Sequence, residues 1–514
     1  MTISNERMLR QDGVFYHIYV PFFHDSNGDG IGDLKGITQK LDYLNDGKGG
    51  GLGIKGIWLS PIHPSPHYHK YSVLDYYAVA PEYGTIADLE ELTREAAKRG
   101  IAILMDLIFN CTSDEHPAFI KACADPTSRE AQMYWLDGCE DAKDLDRNVE
   151  WNTLKPWQKT KDGVSYIGLY SHIMPDLNFN SSVVRDECKK IAKFWLDKGV
   201  SGFRLDSAMH LFSIAEVEEG LSFHAKNVAW WSEFRDYCRS IRPDCFLVGE
   251  VWERPEIRGL YFRGLDSCFH FFLGEEIADC IHGKLSPKLL AKRLENAYLC
   301  AKLTDENYVD APFLSNHDMA RFADKYCRND DELKLAAAIY LTLEGTPFVY
   351  FGEELGMRPE KDDYCPDYPP DDEFGRSRTA FDWGEETGMC SAQYRHGYLT
   401  KNLKDQASDS NSMYNFYRRL IHLRNTCRPI ALGRWSPVAS PDGILSYRLT
   451  YGTESVVLLH NLSMEPISLP SAYIGQNMID LMDTKYRPLP IKRKRTLPPQ
   501  HSVLVYLNKK TEDK

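Results

Sequence analysis

Residues 202–208 have the sequence GFRLDSA, in which one arginine and one carboxylate interrupt a short apolar run. Two other carboxylates end runs of the same kind: Glu250 follows FLVG at 246–249, and Asp318 follows FLSNH at 313–317. Each run has the length and apolar character of a buried strand. Acids at the carboxyl ends of buried parallel strands are typical of an α/β barrel, which keeps its catalytic groups there.

Asp206, Glu250 and Asp318, together with Arg204 and His317, suit glycosidic bond cleavage, which needs an acid/base and a nucleophile. A single acid at a strand end is usually a structural cap, whereas three at equivalent ends indicate a functional site. Arg204 lies two residues before Asp206 on a strand and therefore points to the same side. Its charge is expected to keep Asp206 ionised.

Eight candidate strands alternate with helical patterns, which predicts a parallel sheet, right-handed crossovers and a (β/α)8 TIM barrel. The candidate strands are 14–20, 56–61, 101–108, 202–206, 245–250, 267–273, 311–314 and 347–351. The helical patterns cover 85–97, 183–197, 222–241, 288–303, 331–343 and 413–425.

The barrel pattern is interrupted once and then ends. Residues 111–172 are polar and too long for a βα loop, so they predict an inserted subdomain after strand three. Beyond Pro429, short alternating strands broken by Gly and Pro predict a C-terminal antiparallel β-sandwich. The predicted domains are the barrel at 1–110 and 173–428, the insertion at 111–172 and the sandwich at 429–514.

Composition and charge limit the partners. The 514 residues carry a formal net charge of −13, which argues against a nucleic-acid partner. The basic run KRKR at 492–495 is expected to be a solvated strand edge on this acidic chain. No run reaches the ~18 apolar residues of a membrane span, so no membrane partner is expected.

The first ten residues are polar, so no signal peptide is expected. Thirteen scattered cysteines without a CxxC pair fit reduced thiols in a cytosol. We therefore expect a cytoplasmic protein, and a monomer. A secreted form cleaved from a longer precursor remains an open alternative.

Four further motifs lie before and after the three acid motifs along the chain. They are YHKYSVLDY at 68–76, DLIFNC at 106–111, MPDLN at 174–178 and GTPFVYFGEE at 345–354. With the three acid motifs, they resemble the α-amylase family of glycoside hydrolases over nearly the entire chain. The resemblance implies an α-glucan or malto-oligosaccharide substrate.

In that family, the acids at these positions share the work of a retaining double displacement. The resemblance implies that Asp206 is the nucleophile, Glu250 the general acid/base and Asp318 the residue that stabilises the transition state. Glu250 would protonate the leaving oxygen, Asp206 would form a covalent glycosyl-enzyme, and Glu250 would then activate water. Glu250 is therefore expected to have a raised pKa.

The implied substrate-binding residues are Tyr71, Arg204, His317, Asp106 and Cys111. Tyr71 corresponds to the tyrosine that stacks on the sugar at the cleavage subsite, and His317 to a hydrogen-bond donor there. Cys111 stands where the family motif ends in histidine. A thiol is a weak donor and acceptor, so this difference affects efficiency or substrate choice.

Two positions favour an endo-acting enzyme on α-1,4 bonds. Tyr68 stands where exo-acting α-glucosidases and oligo-1,6-glucosidases typically have an aspartate that grips the non-reducing end. Ser207, small and directly after the nucleophile, also favours α-1,4 over α-1,6 bonds.

Residues 25–33, DSNGDGIGD, place oxygen ligands at alternating positions of a Gly-rich loop, as calcium requires. The twelfth position is Gly36, so the loop is not an EF-hand. It resembles the calcium loop of α-glucosidases and amylases, which implies as ligands Asp25, Asn27, Asp29, the carbonyl of Ile31 and Asp33. A second calcium is implied at Asn110, Asp176 and the backbone of His210.

Three functions remain open from the sequence. The first is an endo-acting α-amylase that cleaves α-1,4-glucosidic bonds in starch, glycogen or maltodextrins. The second is an α-glucosidase, cyclomaltodextrinase-like hydrolase, transglycosylase or trehalose-forming enzyme of the same family. The third is a sugar-binding member without catalysis, which the presence of all three acids disfavours.

Overall fold

The computed structural model describes residues 13–139, 148, 150, 155–212, 222–358, 377–385, 387–390 and 402–507. The strands before the C-terminal region are β1 (Phe15–Ile18), β2 (Gly56–Leu59), β3 (Ala102–Leu107), β4 (Trp157–Lys159), β5 (Ser165–Ile167), β6 (Gly202–Leu205), β7 (Phe246–Gly249), β8 (Ser267–Phe269), β9 (Val309–Ala311) and β10 (Phe348–Tyr350). Eight of them form one sheet in the order β10-β1-β2-β3-β6-β7-β8-β9. This is the strand order of a (β/α)8 barrel, so the predicted fold class is confirmed.

Helices follow the strands in the predicted alternation. Their bounds are α1 (Leu34–Gln39), α2 (Leu41–Leu44), α3 (Ile86–Lys98), α4 (Pro117–Ala124), α5 (Ser182–Asp197), α6 (Ser222–Ile241), α7 (Pro255–Tyr261), α8 (Leu273–Ile281), α9 (Pro287–Thr304), α10 (Phe322–Tyr326), α11 (Asp330–Tyr340), α12 (Leu403–Ser408), α13 (Met413–Thr426) and α14 (Arg428–Leu432). None of the described helices combines the length and apolar character that a membrane crossing requires.

The chain divides into two compact units. The central unit comprises Trp58–Arg94 and Ala102–Cys268, and the terminal unit comprises Met1–Ile57, Glu95–Ile101 and Phe269–Lys514. Parallel ladders run from β3 to β6, β7 and β8 in the central unit, and β1 pairs with β10 in the terminal unit. The strands β1, β2, β6 and β7 are buried along their whole length, as apolar runs predict.

Local signals in the sequence explain where some elements begin. Helix α3 begins with a capping box, since the backbone N–H and the hydroxyl of Thr85 both donate to Asp88, at 2.8 and 2.7 Å. The predicted strand 267–273 is shorter in the structure because Phe272 adopts a left-handed φ of 71° and caps α8. The predicted strand 311–314 was placed too late, because β9 ends at Ala311 and an irregular segment carries the chain on to Asp318.

The segment predicted as an insertion has its own small elements. It contains α4 and the antiparallel hairpin of β4 and β5. Trp135 is buried against Ile167 of β5, and Trp157 packs against the same cluster. An antiparallel bridge pairs Cys111, its first residue, with Asp176, which lies just beyond its end.

The C-terminal region is antiparallel. Its strands are β11 (Arg434–Pro437), β12 (Ile444–Tyr451), β13 (Glu454–Asn461), β14 (Ile467–Ser468), β15 (Asn477–Asp480), β16 (Leu489–Pro490), β17 (Thr496–Leu497) and β18 (His501–Tyr506). Six form a sheet in the order β11-β12-β13-β18-β15-β16, and β14 pairs with β17. Alternate residues of β13 and β18, including Val457, Leu459, Val503 and Val505, point into one buried cluster.

Candidate active site

Arg204 lies at the centre of the carboxylate cluster of the central unit. Its side chain is 1% exposed, and its Nη1 donates to both carboxylate oxygens of Asp106 at 2.8 and 3.0 Å. The same nitrogen donates to Asp206 at 2.5 Å, and Nη2 lies 2.8 Å from Glu250. These three acids follow or end β3, β6 and β7, which are adjacent in the sheet. Of the three acids that the sequence predicted to converge, Asp206 and Glu250 share Arg204, and Asp106, predicted only as a substrate-binding residue, is the third acid on that guanidinium.

Two aromatic residues complete the surroundings of Asp106. Trp58 Nε1 and the Tyr71 hydroxyl both donate to Asp106 Oδ2, at 3.1 and 3.2 Å. The Arg204 guanidinium lies 5.0 Å from the ring of Trp58 and 6.0 Å from that of Tyr71. Asp106 is fully buried, so its full set of charged and neutral donors compensates the loss of hydration.

Asp206 and Glu250 differ from Asp106 in keeping some contact with solvent, at 12% and 14% side-chain exposure. Burial raises the pKa of Asp206 well above its usual range, Arg204 lowers it, and Glu250 and Asp106 raise it further. The sequence prediction considered Arg204 alone and missed that three acids share one guanidinium. Within this cluster, Arg204 is the contact that favours the charged form of Asp206 against burial and the two neighbouring acids.

Ser207 connects the ends of β6 and β7. Its backbone N–H donates to Glu250 Oε2 at 2.9 Å. Ser207 has a left-handed φ of 43°, a conformation that non-glycine residues adopt at a cost in free energy. The strained turn directs this N–H at Glu250, so the backbone geometry of Ser207 positions one of the two acids that keep contact with solvent.

Cys111 is buried beneath Tyr71. It is 1% exposed, its sulfur lies 4.0 Å from the Tyr71 carbonyl, and its own carbonyl accepts the Tyr76 hydroxyl at 2.7 Å. Burial, with Asp176 and Asp206 nearby, raises the pKa of the Cys111 thiol well above its usual range. The thiol therefore stays protonated at neutral pH, which excludes a role as nucleophile.

We expect Cys111→His to destabilise the protein, because its neighbours pack closely around the thiol. Adding an imidazole to a filled site costs roughly 1–3 kcal/mol of unfolding free energy. Thermal melting with steady-state kinetics measures both effects, and Cys111→Ser is the control of similar volume. A higher kcat/KM with unchanged melting would contradict this expectation and would mean that histidine restores a missing donor.

In the terminal unit, the Asp318 carboxylate contacts the side chains of Arg378 and His317. Its Oδ1 lies 2.7 Å from Arg378 Nη2, and its Oδ2 lies 3.0 Å from His317 Nε2. Arg378 Nε also donates to the His317 carbonyl at 2.9 Å, and its guanidinium lies 5.3 Å from the Tyr19 ring. His317 is fully buried, while the Asp318 side chain keeps 29% exposure.

Most of the chain matches one known protein family. The model described as alpha amylase, catalytic domain, matches residues 17–433. The chain belongs to the α-amylase family. A glycoside hydrolase barrel is therefore the setting of the acids described above, and the family resemblance noted from the motifs is confirmed.

Relatives within the α-amylase family differ in activity. Alpha-amylase 3 of Dictyoglomus thermophilum is 36% identical over 470 residues, which cover 88% of this chain and 85% of that protein. An oligo-1,6-glucosidase of Parageobacillus thermoglucosidasius is 30% identical over 524 residues, with coverage of 89% and 91%. The crystal structure of the α-amylase from H. orenii superimposes with a TM-score of 0.84, 35% identity and coverage of 97% and 100%.

The predicted calcium loop lies in the terminal unit and offers oxygen donors. Asp25 Oδ1 accepts the N–H groups of Asn27 and Gly28 at 3.0 and 2.7 Å, and Asp25 Oδ2 accepts that of Gly30 at 2.7 Å. Asp33 Oδ1 accepts the N–H of Gly36 at 2.7 Å and so caps α1. Within the described residues, no three His, Cys, Asp or Glu side chains are grouped as metal ligands. A cation here would therefore also need amide and carbonyl oxygens, the donor type that calcium accepts.

The residues implied for a second calcium are also close together. Asn110 Nδ2 donates to the His210 carbonyl at 2.6 Å, and the bridge between Cys111 and Asp176 brings the Asp176 backbone alongside. Asp176 is fully buried, and Asn110 Oδ1 is buried without a hydrogen-bond partner. A buried oxygen of this kind suits a cation ligand, so the donor set fits calcium.

Two residues at these sites were missed from the sequence. Arg378 pairs with Asp318, but its segment shows no strand or helix pattern from which a position could be predicted. Trp58 lies in the apolar run of β2, where a tryptophan is normally part of the core. Its indole N–H is what connects it to Asp106, and only the tertiary structure shows that contact.

Proposed function

We propose that this protein is an endo-acting α-amylase that hydrolyses α-1,4-glucosidic bonds in starch, glycogen or maltodextrins with retention of configuration. The observation that carries the proposal is the Arg204 guanidinium, which contacts Asp206 and Glu250 at the ends of adjacent strands. Two acids held by one guanidinium, both partly open to solvent, support a nucleophile and acid/base pair of the kind that retaining glycosidases use. Family membership supports a glucan substrate.

Each acid has a role in the proposed reaction. Glu250 in its protonated form donates to the glycosidic oxygen, and an Asp206 oxygen attacks the anomeric carbon as the leaving sugar departs. Glu250 then removes a proton from water, which displaces Asp206 from the glycosyl-enzyme. The Ser207 N–H keeps Glu250 directed toward the bond, and Arg204 stabilises Asp206 as the leaving carboxylate.

Substrate binding in this proposal uses the remaining family positions. Tyr71 provides an aromatic face next to Asp106, and His317 and Asp318 provide hydrogen-bonding groups to the sugar hydroxyls. Asp318 stabilises the transition state through those hydrogen bonds, with Arg378 holding its carboxylate in place. Cys111 contributes only packing beneath Tyr71.

Product analysis on maltoheptaose tests this function. An endo-acting enzyme with an open cleft releases oligosaccharides of several lengths from the first turnovers, because Tyr68 replaces the aspartate that anchors a non-reducing end. Early release of glucose with maltohexaose as the other product would indicate an α-glucosidase. Products longer than maltoheptaose would indicate a transglycosylase, so chromatography of early time points distinguishes all three.

We also propose that calcium binds the loop at residues 25–33 and, at a second position, Asn110, Asp176 and the His210 carbonyl. The ion would supply positive charge that fixes these oxygen donors, and no reaction step depends on it. Binding only to the folded protein stabilises it by mass action. Excess chelator is expected to lower the melting temperature, and added calcium to restore it. An unchanged melting curve, with no metal found by elemental analysis, would contradict the proposal.

A further inference from the structure

Lys70, which precedes the proposed stacking residue Tyr71, has an unusual backbone. Its φ is +66°, in the left-handed region where a Cβ clashes with the backbone and glycine is favoured. Backbone strain of this kind persists only where surrounding contacts maintain it, and it is concentrated at functional sites. The strain at Lys70 must therefore be offset by contacts of its side chain or of the surrounding turn.

The Lys70 side chain is buried, which is rare for lysine. The residue is 5% exposed, and its ammonium forms an ion pair with Glu82. The same ammonium lies 5.4 Å from the ring centre of Tyr83. Glu82 and Tyr83 both belong to the short 3-10 helix Pro81–Tyr83, so a single element holds the lysine tip.

The backbone on either side of Lys70 forms a compact turn that ends at Tyr71. The Lys70 N–H donates to the His67 carbonyl at 3.1 Å, and the Tyr71 N–H donates to His69 Nδ1 at 3.0 Å. Ser72, fully buried, bonds His67 Nδ1 through its hydroxyl at 2.8 Å. The direction in which Tyr71 leaves this turn therefore depends on the conformation of Lys70.

Tyr71 connects the turn to the carboxylate cluster. Its hydroxyl donates to Asp106 Oδ2 at 3.2 Å, and Asp106 in turn binds Arg204 at 2.8 Å. The chain of contacts from the 3-10 helix through Lys70 to Tyr71 and Asp106 lies entirely in the central unit. A displacement of the turn would move the Tyr71 ring relative to Asp106.

We propose that Lys70 is a positioning residue: its buried ammonium, held by Glu82 and Tyr83, maintains the left-handed turn that orients Tyr71 toward the sugar ring. The ion pair compensates both the strain and the burial of the charge. This assignment rests on the proposed function, since the orientation of Tyr71 matters only if a sugar stacks there. Lys70 therefore acts through Tyr71, because its ammonium is held by Glu82 and lies over the Tyr83 ring.

A double-mutant cycle tests this assignment. Lys70→Met keeps the apolar stem and removes the charge, and we expect kcat/KM on maltoheptaose to fall roughly ten- to hundredfold because the ring is misplaced. In a Tyr71→Ala background the same change is expected to have an effect of less than about twofold, because the ring it positions is absent. Lys70→Arg, which can still reach Glu82, is expected to restore most of the activity. Lys193→Met removes an exposed ion pair with Asp197 and serves as the unaffected control.

The outcomes separate this assignment from the proposed function. The assignment would be overturned if Lys70→Met lowered kcat/KM equally in the unaltered and Tyr71→Ala backgrounds, or lowered it in neither. Hydrolysis by the unaltered enzyme would still support the proposed function in that case. Failure of the unaltered enzyme to hydrolyse any α-glucan would overturn the proposed function and the assignment with it. If Lys70→Met does not fold, Glu82→Gln removes the same ion pair and is measured in the same cycle.

Discussion

Asp206→Asn and Glu250→Gln are each expected to reduce the rate of α-glucan hydrolysis by roughly three orders of magnitude or more. An amide at Asp206 cannot form the covalent bond to the sugar, and an amide at Glu250 can neither donate nor remove the proton. Rates on maltoheptaose, compared with those of the unaltered enzyme, give the effect directly. Asp236→Asn, an exposed acid on α6 of the same unit, is the matched control.

Both variants are expected to remain folded. The amide oxygen that Asp206→Asn introduces can still accept a hydrogen bond from Arg204, and the substitution removes one of three acids around a single guanidinium. Because burial and neighbouring acids raise the pKa of Asp206, its charge is unfavourable in the folded protein at neutral pH. The melting temperature of Asp206→Asn should therefore equal or exceed that of the unaltered protein. Near-normal turnover in either folded variant would refute the roles proposed for these acids.

The second large effect concerns stability at alkaline pH and arises from Glu353. This acid is 5% exposed and accepts the hydroxyls of Tyr340 and Tyr417 at 2.6 and 3.0 Å. Burial raises the pKa of Glu353 to about 8, while the two tyrosine hydrogen bonds lower it and Glu354 raises it again. Its folded-state pKa thus exceeds the ordinary value of 4.5.

The sign of the pH dependence follows from this shift. The folded state binds the Glu353 proton more tightly than the unfolded state does. The stability that this proton contributes is therefore fully present below about pH 4.5 and is lost as the pH rises through about 8. Between pH 6 and pH 9 the loss amounts to roughly 3 kcal/mol of unfolding free energy. Denaturant unfolding across this range measures it.

Glu353→Gln separates the effect of Glu353 on the pH dependence of stability from the effects of other titrating groups. The amide oxygen can still accept both tyrosine hydroxyls, and the side chain carries no charge at any pH. We expect this variant to lose much less stability than the unaltered protein between pH 6 and pH 9. Glu465→Gln, at an exposed loop position, should leave the pH dependence unchanged. A Glu353→Gln variant with the full alkaline loss would contradict the assignment.

The barrel strands could be predicted from sequence because each is a short apolar run. In GFRLD and FLVGE the run also ends in the catalytic candidate, so one pattern predicted both the strand and the position of its acid. The boundary near Phe272 could not be predicted, since it depends on a left-handed residue without a glycine to signal it.

The electrostatics of the site could be predicted only in part. Arg204 was expected beside Asp206, but the involvement of Asp106 and Glu250 with the same guanidinium depends on the spacing of three strands in the sheet. Burial, with Glu250 and Asp106 close by, outweighs Arg204 and reverses the expected direction for the pKa of Asp206. The buried lysine beside Tyr71 likewise has no sequence signal, because a lysine in a polar loop is normally exposed.

The most direct test of the proposed mechanism traps the glycosyl-enzyme on the Glu250→Gln variant with maltotriosyl α-fluoride. Fluoride leaves without help from an acid, so the sugar can be transferred to the enzyme, but without a base at position 250 the intermediate is hydrolysed slowly. We predict that mass spectrometry of the digested protein finds one maltotriosyl group on the peptide carrying Asp206. A maltotriosyl group on another carboxylate, or fluoride release with no labelled peptide, would contradict the assignment of Asp206 as the nucleophile.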